Sequence, residues 1–152
     1  MFRVTALAVV SIIVLMFASS LLAGEHEIGV FVGDTRYDGT SALTLGAGYE
    51  YQWSATAGIG LLFEYVTGDR HIREYVFGLP FYIHPYGGLR LCVAPLYISE
   101  KEDDNTVARG AVRAGAAYAI EAGNFSITPQ INFDFIHNEA YTVYGLGFGY
   151  RF

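Results

Sequence analysis

Few side chains in this sequence are suited to chemistry, and eight charged residues form the main candidate set. They lie in segments where bulky apolar residues alternate with small or polar ones, and each occupies the small or polar register. Successive side chains of a β-strand point to opposite faces, so all eight are predicted to share one face. The acidic members are Glu50, Glu64, Glu121 and Asp134, and the basic members are Arg90, Arg109, Arg113 and Arg151.

Charges that share an enclosed face must pair, because an unpaired buried charge costs several kcal/mol. Glu64, Arg109, Arg113 and Asp134 are expected in the half farther from the chain ends, and the other four in the nearer half, so that each half is neutral. A hairpin at residues 122–124 places Arg113 directly opposite Asp134. Two roles remain open for this network: structural pairing, which we favour, and a polar plug that opens a small pore.

Catalytic, metal and cofactor sites are not predicted. His137 and Glu139 lie close together, but no serine near them could act as the nucleophile of a lipid hydrolase. His84, followed by proline, is expected at a turn or membrane interface, and His26 in the tail of the mature chain. Cys92 is the single cysteine, and no Cys/His cluster has zinc spacing. The sequence therefore predicts a protein that is not an enzyme and has neither metal nor cofactor.

Eight segments of alternating hydrophobicity must position these residues, and short polar connections separate them. This pattern predicts an all-β fold, an eight-stranded antiparallel up-and-down β-barrel. The predicted strands cover residues 26–33, 41–53, 56–66, 73–84, 89–98, 107–121, 125–136 and 140–152. The predicted loops at one end cover residues 34–40, 67–72, 99–106 and 137–139, and the turns at the other end cover residues 54–55, 85–88 and 122–124.

The bulky apolar face decides which side of the barrel is outside. Its side chains have too much volume for the lumen of eight strands, so they must point outward into lipid. Tyr49, Tyr51 and Trp53 lie near a strand end and are predicted to form an aromatic girdle at the membrane interface. A soluble β-domain with an aromatic core is the alternative.

Inward residues and prolines add detail to this prediction. Leu62, Leu96, Ile136 and Phe31 share the inward register, which predicts that part of the lumen is packed and dry and argues against a continuous aqueous channel.

Prolines cannot donate to a strand ladder. Bulges or pairing gaps are therefore expected at the three prolines within strands, Pro80, Pro95 and Pro129.

The N-terminal residues have the features of a targeting segment. One positive charge precedes a long apolar run and then small residues, which predicts a secretory signal peptide over residues 1–23 and a barrel over residues 24–152. A retained inner-membrane anchor is the alternative.

The net charge of -6 and the pI near 5.0 provide no basic surface for nucleic acid, so no nucleic-acid partner is expected.

The final strand carries a resemblance to a known class. Its outward register consists of Tyr144, Leu146, Phe148, Tyr150 and Phe152. This ending resembles that of bacterial outer-membrane β-barrels, whose last strand is a signal for the barrel-assembly machinery. Residues 44–53 and 78–90 also resemble a group of small eight-stranded outer-membrane barrel proteins.

The resemblance implies a location in the bacterial outer membrane and a structural or surface-interaction role in the envelope. It also implies contact with outer-membrane lipids and lipopolysaccharide, assembly through the C-terminal strand, and a monomer. A narrow, porin-like channel or transporter for small solutes is the alternative function.

Overall fold

The computed structural model of the protein describes residues 25–67, 73–102 and 105–152. The predicted signal peptide, residues 1–23, and most of the predicted loop 67–72 lie outside the described residues. Ten strands are found: β1 (Glu25–Tyr37), β2 (Thr40–Ser54), β3 (Ala57–Thr67), β4 (Arg73–Gly78), β5 (Phe81–Tyr86), β6 (Leu89–Glu102), β7 (Asn105–Tyr118), β8 (Ile120–Ala122), β9 (Phe125–Ile136) and β10 (Glu139–Arg151). The described residues include no helix of the length and hydrophobicity that a membrane crossing requires.

The ten strands form a closed, antiparallel barrel of eight barrel strands, as the sequence predicts. β4 and β5 are two halves of one barrel strand, since both pair with β3 and with β6. β7 and β8 form another, since both pair with β9. The remaining strands pair with their neighbours in sequence, and β10 returns to pair with β1. Closure satisfies the backbone groups that an open sheet would leave unpaired at its edges.

The two ends of the barrel differ in the strand ends and connections that they contain. The terminal rim contains the start of β1, the end of β10 and the short connections at residues 55–56, 87–88 and 123–124. The distal rim is the opposite end and includes the turns at residues 38–39 and 137–138. Asp38 and Gly39 have φ values of 46° and 76°, which the tightest hairpin turn requires at both central positions.

The predicted loops 34–40 and 99–106 are wrong, because strands replace most of both. β1 continues to Tyr37 and is paired on both sides, with Asp34 opposite Leu43 of β2 and Tyr144 of β10. Asp34 accepts hydrogen bonds from the hydroxyls of Ser41 and Tyr144. Neighbouring strands thus satisfy both the backbone and the polar side chains of a segment that composition alone assigns to a loop.

Alternation places bulky side chains outside and small or polar ones inside. Adjacent residues of β1 show this clearly, since Val30 is 59% exposed and Phe31 only 9%. The same exposed register includes all five residues of the predicted assembly signal in β10. The exterior is therefore an apolar band of the kind that faces lipid in membrane barrels.

The inward face forms an apolar plug in the distal half of the lumen. The plug is defined here as the buried residues Val66, Val76, Ala94, Leu96, Ile98, Ala111 and Ile136. Leu62 packs against it, and Phe31 is also buried. The predicted dry section of the lumen is thus present, and it lies toward the distal rim.

The expectation of a pairing gap at each proline holds. Pro80 interrupts the barrel strand between β4 and β5, where the Gly60 N–H donates to the Pro80 carbonyl at 2.8 Å. Pro95 borders the same interruption, and its carbonyl accepts from the Leu79 N–H at 3.2 Å. Pro129 pairs with Leu146 of β10, but on its other side the ladder stops at Gln130 of the β7 pairing and resumes at Ile127 of the β8 pairing.

Two glycines let the Phe31 ring lie across the inner wall. Gly33 and Gly145 are directly opposite each other in the β1–β10 ladder. A Cβ atom on Gly145 would lie 2.5 Å from the Gly33 Cα and 2.9 Å from the Phe31 Cε2. Both distances are too short for van der Waals contact, so the absence of a side chain is required here.

We predict that Gly145→Ala destabilises the folded barrel by about 1–3 kcal/mol through overpacking. Gly147→Ala is the matched control on the same strand and face, because its Cβ would meet no atom closer than 3.6 Å. Urea unfolding of both variants in lipid vesicles measures the difference. Equal stabilities would show that the wall at Gly145 can move to accept a methyl group.

Candidate functional site

A buried ion-pair cluster crosses the lumen just below the apolar plug. The Arg113 Nε and Nη2 donate to Asp134 at 2.6 and 2.8 Å, and Nη1 and Nη2 donate to Glu64 at 2.6 and 2.7 Å. Arg113, Glu64 and Asp134 are only 2%, 4% and 5% exposed. We call these three residues the central cluster.

The strands explain why these three side chains meet. Arg113 of β7 and Asp134 of β9 are direct partners in the β7–β9 ladder, the register that the sequence predicts. Glu64 comes from β3, which is not a neighbour of β7 or β9 in the sheet. The Arg113 guanidinium therefore ties one wall of the barrel to another across the lumen, in a bidentate geometry that suits arginine.

A second cluster lies nearer the terminal rim. Arg90 donates to both carboxylate oxygens of Glu27, at 2.6 and 2.7 Å, and lies 3.5 Å from Glu50. The His84 Nε2 is 2.6 Å from the Glu50 Oε1. Arg151 reaches Glu27 at 3.3 Å. We call Glu27, Glu50, His84 and Arg90 the lower cluster.

Two expectations about histidines are wrong. His84 is not at a turn or membrane interface: its side chain is 10% exposed and points into the lumen. β5 continues through Pro85 to Tyr86 with a register irregularity, so His84 keeps the inward register. His26 is not in a tail, because β1 starts at Glu25, and Glu27 pairs with Glu50 in the β1–β2 ladder.

The predicted charge balance is also not found. Of the eight predicted residues, Glu50, Glu64, Arg90, Arg113 and Asp134 are buried, and Arg109 and Arg151 are half-buried. Glu121 is at the mouth of the lumen, its side chain 49% exposed, where it accepts from Arg151 at 2.9 Å. Glu27 and Glu100 join the ion pairs, the latter through Arg109 near the distal rim. Glu27 lies in the predicted strand 26–33 but was not among the predicted charges, and Glu100 comes from a segment that was assigned to a loop.

A cavity of about 130 Å³ separates the central cluster from the lower cluster. Polar groups on its walls include Tyr82, Thr128, Gln130 and Asn132. A wider space of about 380 Å³ opens at the terminal rim beside His84, Arg90 and Arg151. A polar cavity of this size can hold water, so the terminal half of the lumen is suited to hydration while the distal half is dry.

The remaining groups that could react, Cys92, His137 and Glu139, lie outside the two clusters. Cys92 is a free thiol whose Sγ donates to the Asn132 Oδ1 at 3.6 Å. His137 is in a distal turn with a φ of 55°, and Glu139 accepts from the Tyr141 hydroxyl at 3.4 Å. Within the described parts of the chain, no three His, Cys, Asp or Glu side chains are grouped to hold a metal ion.

The outer surface at the terminal rim carries an aromatic cluster around His26. The His26 Nδ1 is 2.8 Å from the Tyr49 hydroxyl, and its ring lies 5.3 Å from Tyr51 and stacks on Phe152 at 5.6 Å. Trp53 is exposed on the same outer register. The backbone of His26 exchanges two hydrogen bonds with that of Phe152, at 3.2 and 2.9 Å. Two of the predicted girdle residues, Tyr49 and Tyr51, thus contact His26, which also contacts Phe152 across the β1–β10 pairing. The sequence analysis did not assign His26 to this cluster, although His26 shares the outward register of Ile28.

The closed barrel, its apolar exterior and its polar, ion-paired interior define a class: the fold is that of the small outer-membrane β-barrels. Solved structures with this fold include Ail, the attachment invasion locus protein of Yersinia pestis, with a TM-score of 0.55 and 16% identity. The N-terminal β-barrel domain of Pseudomonas aeruginosa OprF has a TM-score of 0.57 and 18% identity. Neisserial surface protein A has a TM-score of 0.56 and 9% identity.

These likenesses cover 85% of this chain, and 99% of Ail, 99% of the OprF domain and 97% of Neisserial surface protein A. No protein-family model matches the sequence, and no curated protein matches it. At such low identity the agreement is one of fold.

We predict that Arg113→Ala destabilises the barrel by about 3–5 kcal/mol, because it leaves the Glu64 and Asp134 carboxylates buried together without a cation. The triple variant Glu64→Leu, Arg113→Met and Asp134→Leu removes all three charges and should lose much less. Urea unfolding in lipid vesicles compares the two.

Arg36→Met is the control, because this arginine at the distal rim is 63% exposed and its ion pair with Asp34 should contribute no more than about 1 kcal/mol. If the triple variant is as unstable as Arg113→Ala, the loss comes from packing and not from uncompensated charge.

Proposed function

We propose that this chain is an outer-membrane protein of the bacterial envelope, with a signal peptide at residues 1–23 and a barrel at residues 24–152. The apolar exterior supports this proposal, since a soluble barrel would bury its bulky side chains and expose its polar ones. The similarity in fold to Ail, the OprF domain and Neisserial surface protein A also supports it.

The terminal rim faces the periplasm in this proposal. Small outer-membrane barrels have short periplasmic turns, and both described chain ends lie at the rim with the short connections. The distal rim then faces outward. Tyr49, Tyr51 and Trp53 belong to the periplasmic girdle, and the five outward residues of β10 form the signal for the barrel-assembly machinery.

The role that we propose is structural or surface-interacting, performed by a barrel with a closed lumen. The observation that carries this is the presence of two barriers in series, the apolar plug and the central cluster. A solute would have to pass a dry packed layer and then break a four-bond ion-pair cluster. Two proteins of this fold are an attachment invasion locus protein and a neisserial surface protein, which supports a surface role.

The described part of the distal rim offers a surface for such a role. The β1–β2 connection is only the two-residue turn Asp38–Gly39, so this part of the rim consists of strand ends. Asp34, Ser41 and Tyr144 are hydrogen-bonded there. The Arg36 guanidinium lies 3.6 Å from the Asp34 carboxylate and 5.8 Å from the centre of the Tyr144 ring. We propose that the protein is a monomer that presents this rim, and that it is not an enzyme.

A narrow channel is the second candidate, and the polar cavity and the open space at the terminal rim favour it. Both spaces lie on the terminal side of the central cluster. They would let water and small solutes enter from the periplasm, but passage would require the plug to move.

We predict that the wild-type protein gives no steady openings in planar-bilayer conductance recordings. Arg113→Ala and Asp134→Ala each weaken the central cluster but leave the plug in place, so each should remain closed. Arg113→Ala combined with Leu96→Ala and Ile136→Ala removes both barriers and should conduct.

Ile131→Ala, combined with Arg113→Ala, is the control, because Ile131 is exposed on the outer face and does not contribute to the plug. Steady openings in the wild type would reject the closed barrel and support the channel.

We predict that deletion of Phe152 lowers the amount of barrel assembled in the outer membrane several-fold, while Phe152→Leu has a small effect. The deletion removes the backbone exchange with His26 as well as the terminal aromatic ring. Cell fractionation with immunoblotting measures location and yield.

Phe125→Leu is the control, since this exposed phenylalanine also lies at the terminal rim. Refolding of the purified deletion variant in detergent separates the causes: normal refolding with poor assembly in cells indicates loss of the assembly signal. Wild-type protein found outside the outer membrane would reject the proposed location.

A further inference from the structure

An apolar groove lies on the outer face where β4 and β5 are interrupted. It encloses about 710 Å³ between β2, β3, the β4–β5 break and β6. Leu61, Phe63, Phe77, Leu79 and Tyr97 project around it, while Ala47 is the small residue at its β2 side. The cause of the groove is the pair Pro80 and Pro95, which border the same break and each lack an N–H for the ladder.

Two cations stand above this groove on the same face. Arg73 and Lys101 are exposed, directly opposite each other in the β4–β6 ladder at the distal rim. Both share the outward register of Phe77 and Tyr97, which are also ladder partners. Like charges directly opposite each other in a ladder are destabilising.

Elsewhere in this barrel, a counter-charge neutralises like-charged ladder partners. Glu27 and Glu50 are opposite each other, and the Arg90 guanidinium lies between them at 2.6 and 3.5 Å. For Arg73 and Lys101, the described residues provide no such partner, since neither takes part in an ion pair with them. Among the described residues, these two cations are thus free to bind an anionic group.

The spacing between the cations and the groove fits one amphipathic molecule. From Lys101 to Pro95 the strand advances about 20 Å at roughly 3.3 Å per residue. With a strand tilt of about 40°, this is a depth of about 15 Å, slightly more than half of a roughly 25 Å apolar band. A headgroup phosphate at the rim and an acyl chain in the groove would belong to the same lipid.

We propose that Arg73, Lys101 and the groove form a binding site for lipid A, a phosphorylated glycolipid of the outer leaflet. The site rests on the proposed function, because the distal rim must face the outer leaflet. The two cations bind a phosphate, and an acyl chain fills the groove between Phe63, Phe77 and Tyr97. Arginine and lysine both bind phosphate well, and the outer face of a membrane barrel contacts lipid acyl chains.

Native mass spectrometry of the refolded, full mature chain in detergent, with added lipid A, tests the site. The double variant Arg73→Gln/Lys101→Gln should weaken lipid A binding about tenfold or more, since each cation near a membrane surface contributes appreciably. Arg36→Gln is the control for charge, because it removes another exposed cation of the same rim.

A second pair of variants tests the groove without changing charge. Ala47→Phe fills the groove and should also weaken lipid A binding, whereas Ala114→Phe adds the same ring on the outer face of β7 and should not. Equal losses in Arg36→Gln and the double variant, or no loss in Ala47→Phe, would overturn the site. Phosphatidylglycerol that binds as tightly, with the same dependence on these residues, would overturn the assignment to lipid A.

Cell fractionation reports the outer-membrane location without reference to this site. Loss of lipid A binding by normally located variants therefore tests the site alone. A wild-type protein that is not in the outer membrane would remove the proposal on which the site rests.

Discussion

The hydrogen bonds from Arg113 to Asp134 and Glu64 hold the barrel together across its interior. A lumen of eight strands is too narrow for bulk water, so each charge inside it needs a partner within reach. Arg113 meets this need for two carboxylates from different walls. The dry plug lies on the distal side of this guanidinium, and the polar cavity lies on its terminal side. The central cluster therefore marks the boundary between the apolar half and the polar half of the lumen.

Alternation explains how much of the structure could be predicted from the sequence. A strand gives each residue only two directions, so the outward or inward side of Phe31, Arg113 and Asp134 follows from parity alone. The short connection before Phe125 then determines the register that brings Arg113 opposite Asp134. The number of barrel strands, the apolar exterior and the dry section of the lumen all follow from the same rule.

The errors arose where composition was used to decide whether a segment is a strand. Asp34 is in a polar segment that resembles a loop, yet paired neighbours on both sides keep it in β1. Pro85 suggested a strand end, and His84 was therefore missed. The prolines within strands were a better guide, because the missing N–H donor coincides with the β4–β5 break at Pro80 and with the β7–β8 break opposite Pro129. The partner of Glu64 is Arg113 on β7, a strand that no local pattern relates to β3.

The seam between His26 and Phe152 has a consequence for the timing of folding. The ring of strands closes where the first and the last described strands meet, since Phe152 exchanges backbone hydrogen bonds with the second residue of β1. This contact is of very long range in the sequence, and such contacts form slowly because loop closure must come first. Until the seam closes, the sheet has two unpaired edges that another chain or a chaperone can recognise.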